Sequence, residues 1–280
     1  MTTDEKLAAI LAAIQTDPGH RGLAELFAYC PDDFTAACRS LESHPHRTLI
    51  VATGFYIPSA KPPAFETDGP LGAAFLARAF EPLGYRVEVL AEAPVQRAFE
   101  SVRTRSEYEV DLECYIGPKA FFIAIERGGP GADGRCRTMR GVDITRHLEE
   151  LNALVAIKRL EIGIGDGGNE IGMGKIPHDI VARTIPNGDL IHCRVPTDHL
   201  IVAGVSNWGA YALAAGIFVL KGIKPPPDLF DPDREREILE VMVREGPLVD
   251  GVTGKQTATV DGLSWEEYAK PLIRLREILQ

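Results

Sequence analysis

Apolar residues recur at helical spacing early in the chain: Leu7, Ile10, Leu11 and Ile14, then Leu23, Leu26 and Phe27 ahead of Pro31. Residues 4–46 therefore read as short helices with no chemistry of their own, and His20, His44 and His46 read as loop residues. The period changes at residues 47–54, RTLIVATG, a continuous apolar run of strand length that stops at a glycine. A proline-rich loop runs to Pro63, an alanine-rich helical pattern covers 71–83, and a second strand covers 85–91, which together make a βαβ unit. Strands at 108–115 and 120–126 turn at Gly117-Pro118, and a helix follows over 144–159. Beyond these the pattern predicts a strand at 160–164, a helix at 176–184, strands at 190–195 and 200–206, and a helix at 210–220. A charged amphipathic helix over 234–244 and a terminal helix over 265–279, kinked at Pro271, complete the chain. The expected fold class is α/β: a mixed, mostly parallel sheet flanked by helices, with residues 1–46 as a helical cap packed on a domain of residues 47–280.

Composition narrows the ligand class. With 280 residues, 45% of them hydrophobic, the chain can bury a full core. A net charge of −10 and a pI near 5.3 leave no basic block to neutralise phosphates, so a small molecule and not a nucleic acid is the expected partner. The five cysteines are scattered and never form C-x-x-C, which fits a reducing, cytoplasmic setting and indicates neither a disulfide framework nor zinc. The opening MTTDEK lacks the basic and apolar regions of a signal peptide. The apolar run 200–220 contains Ser206, Asn207, Trp208 and three glycines, so it reads as a buried strand and helix, with no membrane partner expected. Homo-oligomerisation stays open.

The chemistry concentrates at residues 161–175, EIGIGDGGNEIGMGK, where six glycines surround Asp166, Asn169 and Glu170. So much glycine demands tight, positive-φ turns that bring those side chains close to a cation or a polar substrate. The stretch contains a literal G-x-G-x-x-G at Gly163, Gly165 and Gly168, but the chain continues through Gly172 and Gly174 to Pro177 and leaves no helix for a pyrophosphate. No nucleotide cofactor is expected. Thr53, Gly54, Glu66 and Asp68 follow the first strand and fall at the carboxyl ends of the sheet, where ligands of open α/β sheets bind. Asp68 also suits a helix N-cap, as does Asp143 before the helix at 144–159. Arg140 beside a glycine is a candidate grip for a carboxylate, and Lys255 for an anion. Ser206, in VSNWG, lacks the nucleophile-elbow pattern and reads, with Asn207, as a polar contact at a strand end. Facing carboxylates must share a proton or hold a cation, and oxygen ligands without His or Cys select Mg²⁺, Mn²⁺ or Ca²⁺. Glu66, Asp68, Asp166 and Glu170 are the expected metal and catalytic residues, with Glu126 and Asp143 behind them.

TGF at 53–55, PPAFETDGPLGAAFLARAF at 62–80, ERGGPGADGRCRTMRGVDIT at 126–145, GIGDGGNEIGMGK at 163–175, LIVAGVSNWGAYALAA at 200–215 and DGVTG at 250–254 resemble the D-glutamate cyclase family, in its C-terminal catalytic-type domain. The resemblance runs from about residue 47 to the end and leaves the N-terminal helices out. It implies a lyase that converts D-glutamate to 5-oxo-D-proline and water. Residue types fit this: acids hold a divalent cation, a remaining carboxylate takes the amine proton, and Arg140 or Lys255 meets the α-carboxylate. A metal-dependent hydrolase or phosphatase acting on a small acidic metabolite is the competing expectation, and a non-catalytic binder of such a metabolite is the third.

Overall fold

In the computed structural model, residues 1–103, 120–156 and 160–280 are described; the strand expected at 108–115 and its turn at Gly117-Pro118 lie outside them. The βαβ unit forms as expected: β1 (Thr48–Gly54), α4 (Pro70–Phe80) and β4 (Arg86–Leu90), with β1 and β4 parallel neighbours. Between β1 and α4 a two-stranded antiparallel ribbon, β2 (Tyr56–Ile57) with β3 (Ala64–Phe65), organises the proline-rich loop. β5 (Ala120–Arg127), β6 (Ile162–Gly165) and β7 (His199–Val202) extend the sheet on the other side of β1, all parallel, in the order β4-β1-β5-β6-β7. The chain builds outward from β1 first to one side and then to the other. The strand order therefore reverses between β1 and β5, the place where a crevice opens beyond the carboxyl ends of the strands.

Strand residues alternate between two cores. Leu49, Val51, Phe121, Ile123, Ile125, Ile162 and Ile164 face one, and Ile50, Ala52, Phe122, Ala124, Leu200 and Val202 face the other. Burial on both faces explains why these strands read as unbroken apolar runs. The first core is dominated by α9 (Ser206–Lys221), buried from Ser206 through Phe218 and packed against α4, α1 (Thr3–Ile14), α3 (Asp33–Ser43) and α11 (Trp265–Leu279). α5 (Ala93–Val102) and α10 (Pro232–Glu245) cover its outer side. The second core lies under α2 (Ala24–Tyr29) and α7 (His178–Thr184), with Val155 of α6 (Thr145–Ala156). Leu7, Ile10, Ile14 and Phe34 belong to the same core as the strands, so the apolar interior is continuous across residue 46.

Two expectations are corrected. Residues 190–195 are not a strand: α8 (Gly188–Ile191) occupies their start, after Asn187 in a left-handed conformation at φ 60°. The remainder runs beside the glycine-rich loop, where the Cys193 and Arg194 amides donate to Gly168 O and Pro130 O and not to a strand. The last strand ends at Val202, and Ser206 through Gly209 are the first turn of α9 instead of a loop before it. The terminal helix runs from Trp265 to Leu279 with Pro271 inside it. No helix among the described residues is long and apolar enough to cross a membrane.

Close approach of α9 to the sheet depends on Gly209, where an added Cβ would lie 2.4 Å from Ile164 Cγ2. Gly209→Val is expected to cost about 2 kcal/mol through overpacking, read as a lower urea midpoint. A midpoint equal to wild type would show that the helix does not pack this tightly.

Candidate active site

At the reversal between β1 and β5, the ladder carries an irregularity: Thr53 pairs with Ile125 and Gly54 with Arg127, which leaves Glu126 as the extra residue. Glu126 has φ 42°, a conformation rare for a residue with a side chain and frequent where a bulge re-aims one. Its carboxyl is buried and accepts from Ser206 Oγ at 2.6 Å. Next to it, Arg127 is wholly buried and anchors the strand ends, with Nη1 2.8 Å from both Glu92 oxygens, Nη2 donating to Leu148 O and Nε to Asn152 Oδ1. Asn152 in turn donates to Gly128 O.

Asp68 does not cap the helix that follows it. The N-cap of α4 is Gly69, which has no side chain to cap with, at φ 89°, where a Cβ would sit 2.4 Å from Thr53 Oγ1 and 2.8 Å from Glu126 Cβ. Glycine is therefore the residue that lets the chain pass this close to the acid. Asp68 instead accepts from the Ser206 and Asn207 amides, at 2.9 and 2.8 Å, at the start of α9, and Asn207 Oδ1 accepts from the Gly69 and Gly72 amides at 2.9 and 2.7 Å. The two helix N-termini thus satisfy each other's orphan donors, and the positive end of α9 rests on a carboxylate.

Asp166 follows β6. It accepts a bidentate pair from Arg21, Nη1 to Oδ1 and Nη2 to Oδ2, each 3.0 Å. Arg21 Nη2 also donates to Gly204 O at 2.6 Å and to Asp261 Oδ2 at 3.2 Å. Residues 1–46, expected to carry no chemistry, thus supply the one guanidinium that enters the acid cluster among the described residues. Asp261 hydrogen-bonds Asp166 and is held near the site by Asp250, whose carboxylate accepts from the Val252, Thr253 and Gly262 amides. Glu170 folds back on its own loop, accepting from the Gly168 and Asp166 amides at 2.8 and 3.3 Å.

These groups close around a cavity of about 280 Å³, with Arg21, Glu66, Glu126, Asp166, Glu170 and Asp261 on its acidic side. Phe55, Ile57, Met139, Val142 and Val252 form an apolar wall, and Arg140 stands at the rim, donating to Ser59 Oγ and Val252 O, both at 3.3 Å. Asn169 lines the cavity and donates to Arg137 O at 2.7 Å. Of the other expected residues, Thr53 is buried beside Glu126, and Gly54 O accepts from Arg127. Lys255 is exposed and outside the cavity lining. Asp143 is a capping residue away from the cavity, accepting from the Thr145 amide and hydroxyl at 2.9 and 2.6 Å.

One set of carboxyls among the described residues is arranged to hold a cation: Asp68, Glu126 and Asp166, with candidate ligand oxygens within 4.8 Å of one another. Compared with the sequence expectation, Glu126 joins Asp68 and Asp166, while Glu66 and Glu170 lie outside this set. All donors are hard oxygens, and the buried Thr53 hydroxyl has no hydrogen-bond partner, so the residues fit a hard divalent ion.

Burial, compounded by neighbouring acids, pushes Glu66, Asp68 and Glu126 well above the usual carboxylate range. Burial also raises Glu170, opposed by its loop amides. It raises Asp166 and Asp261 too, but Arg21 limits the rise to about 6 and about 7. The cluster therefore contains acids that burial biases strongly toward the protonated form beside acids held at about 6 and about 7, the arrangement from which acid–base pairs are made.

A buried acidic cavity at the strand-order reversal of a parallel α/β sheet defines a small-molecule site of the enzyme type. The chain belongs to the family described as D-glutamate cyclase-like, C-terminal, whose model matches residues 10–276. The match begins within α1 and so takes in the N-terminal helices and Arg21. The chain is 30% identical to a human (Homo sapiens) protein described as D-glutamate cyclase, mitochondrial, over 98% of this chain and 52% of that protein. It thus spans about half the length of the curated relative it matches. A crystal structure of an RpiR transcription factor from Sphaerobacter thermophilus (sugar isomerase domain) aligns with 80% of this chain and 92% of its own at 17% identity and a TM-score of 0.32, a likeness too slight to carry an argument.

The raised carboxyls fix the sign of a pH effect. Between the ordinary carboxylate range and the folded values of about 6 and about 7, the folded chain keeps protons that the unfolded chain has lost. Stability is therefore full at the acid end of that window and declines as pH rises through it. The melting temperature of the cation-free protein is expected to fall from about pH 4 to about pH 7. A rise across the same window would contradict the buried cluster.

Proposed function

We propose that the chain is a lyase that converts D-glutamate to 5-oxo-D-proline and water. The observation that carries this reading is the pairing, in one cavity, of an acid that burial biases toward its protonated form, Glu66, with one held at about 7, Asp261, in a chain of the D-glutamate cyclase-like family. Ring closure needs both. The α-ammonium must give up a proton before nitrogen attacks the γ-carbon, and the departing oxygen must gain protons to leave as water.

Asp261, with a value of about 7 and a place on the cavity wall, takes the amine proton. Glu66, on the same cavity and biased by burial toward its protonated form, delivers one proton to the γ-oxygen and takes the second proton from nitrogen, while Asp261 returns the first to that oxygen, so nitrogen loses two protons, the oxygen leaves as water and both acids are restored. Arg140 at the rim meets the α-carboxylate, since Lys255 lies outside the cavity. The apolar wall packs on the methylenes and excludes water from the forming ring. Asp68, Glu126 and Asp166 would hold a divalent cation, which supplies Lewis-acid polarisation of the γ-carboxylate when bound. Asp166 is also oriented by Arg21, which fixes its carboxylate plane whether or not a cation is present.

D-Glutamate incubated with the protein and Mg²⁺ or Mn²⁺ is expected to yield 5-oxo-D-proline by mass spectrometry and NMR. Asp166→Asn is expected to remove cation binding and turnover together. Asp261→Asn is expected to keep cation binding and lower kcat roughly 10²–10⁴-fold, the range for losing a general base. Release of phosphate from simple esters without any oxoproline would favour a hydrolase, and saturable binding of glutamate without turnover a binding protein.

A further inference from the structure

Outside the acid cluster, a second group of titratable side chains forms a chain of three contacts. His178 Nε2 lies 2.9 Å from Asp189 Oδ1, His178 Nδ1 lies 3.2 Å from His192 Nδ1, and His192 Nε2 lies 2.9 Å from Met173 O. The ring planes are within 2° and the centroids 5.4 Å apart, too far for face-to-face stacking and suited to nitrogens meeting at their ring edges. A carbonyl and an ionised carboxylate only accept. Each Nε2 must therefore carry a hydrogen, and a third hydrogen must lie between the two Nδ1 atoms. Two neutral imidazoles hold two such hydrogens in all, so the observed contacts require one extra proton and a single positive charge on the pair.

His192 begins a segment that splints the glycine-rich loop. The Cys193 amide donates to Gly168 O at 3.0 Å, and Val195 O accepts from the Gly172 and Gly174 amides at 2.9 and 3.2 Å. The fit leaves no slack, because a Cβ on Gly174 would lie 2.5 Å from Arg194 C. His192 is buried and His178 partly exposed, so the pair meets solvent through His178. The charged and titratable groups around it are Asp189 on α8, Asp179 and Arg183 on α7, Glu25 on α2, and Arg194 and the Cys193 thiol beside His192. Burial and Arg194 push the His192 imidazole down, consistent with that ring staying neutral.

We propose that His178 and His192 share one excess proton and act as positioning residues, tying α7 and α8 to Met173 and thereby holding the loop that carries Asp166 and Glu170. Loss of that proton leaves two hydrogens for three contacts. Gain of another sets two N–H groups head to head. Either change releases the splint from one side.

The test is a pH titration of the ¹⁵N-labelled full chain by NMR, following the imidazole nitrogens and the amides of Gly168, Gly172 and Cys193. Both Nε2 atoms are expected to be protonated in the lower-pH form. One proton is expected to leave the pair on raising the pH, with the three amides moving at the same midpoint. In His178→Asn that shared midpoint is expected to vanish from the amides. His192→Gln, which can still donate to Met173 O, is expected to keep the amides near their low-pH positions without titrating. An unprotonated His192 Nε2, or loop amides that ignore the pair's midpoint, would overturn the proposal, and the wild-type titration decides this even if a variant fails to fold. The readout needs neither cation nor substrate, so its failure and failure of the proposed reaction are separate results.

Discussion

Several carboxyl groups are buried together where the strand order reverses, and the rest of the molecule is arranged around that cost. An ionised carboxylate without a partner is expensive to remove from water, and like charges side by side raise the cost further. Three compensations are visible. Arg21 grips Asp166 and reaches Asp261. The first amides of α9 hold Asp68. The remaining acids, Glu66 and Glu126 above all, are biased by burial toward their uncharged, protonated form. Such a site is unstable by construction and is maintained by the packing beneath it: a helix buried along most of its length and a sheet buried on both faces. Local cost supported by a large core is what a functional site built on a stable scaffold requires.

The same arrangement divides the acids by what opposes their burial. Arg21 hydrogen-bonds Asp166 and Asp261, whereas Glu126 meets the guanidinium only through its longer-range field. An arginine in a loop between N-terminal helices therefore limits how far burial raises Asp166 and Asp261. This ties the first 46 residues to the chemistry through a long-range ion pair as well as through the shared apolar core.

Much of the fold is legible along the chain because periodicity is a local property. β1, α4, β4, β5 and the last two helices fall where the apolar pattern places them. The failures are all cases where a distant partner overrides a local signal. Residues 190–195 alternate like a strand, but their amides are claimed by Gly168 and Pro130, so no sheet receives them. Asp68 stands where a cap for α4 belongs and caps α9 instead. The glycine-rich loop with Asp166 announced itself through composition, and Glu126 through its place at a strand end. Its bulge and its role beside Asp68 and Asp166 depend on pairing with β1, which no single stretch encodes. Arg21 carries no local signal beyond a glycine on either side of its dipeptide. Asp261, followed by Gly262, carries the same Asp-Gly dipeptide as Asp250-Gly251, a turn signal and nothing more specific.

The central claim, that buried acids from distant loops form one proton-holding site suited to a hard cation, is tested most directly by calorimetric titration of the protein with Mn²⁺ at neutral pH. Repeating it in buffers of different ionisation heat counts the protons released. The account predicts saturable binding of one ion accompanied by net proton release, because carboxyls whose protonated form burial favours must ionise to become ligands. Absence of binding, or binding with no proton released, would contradict it.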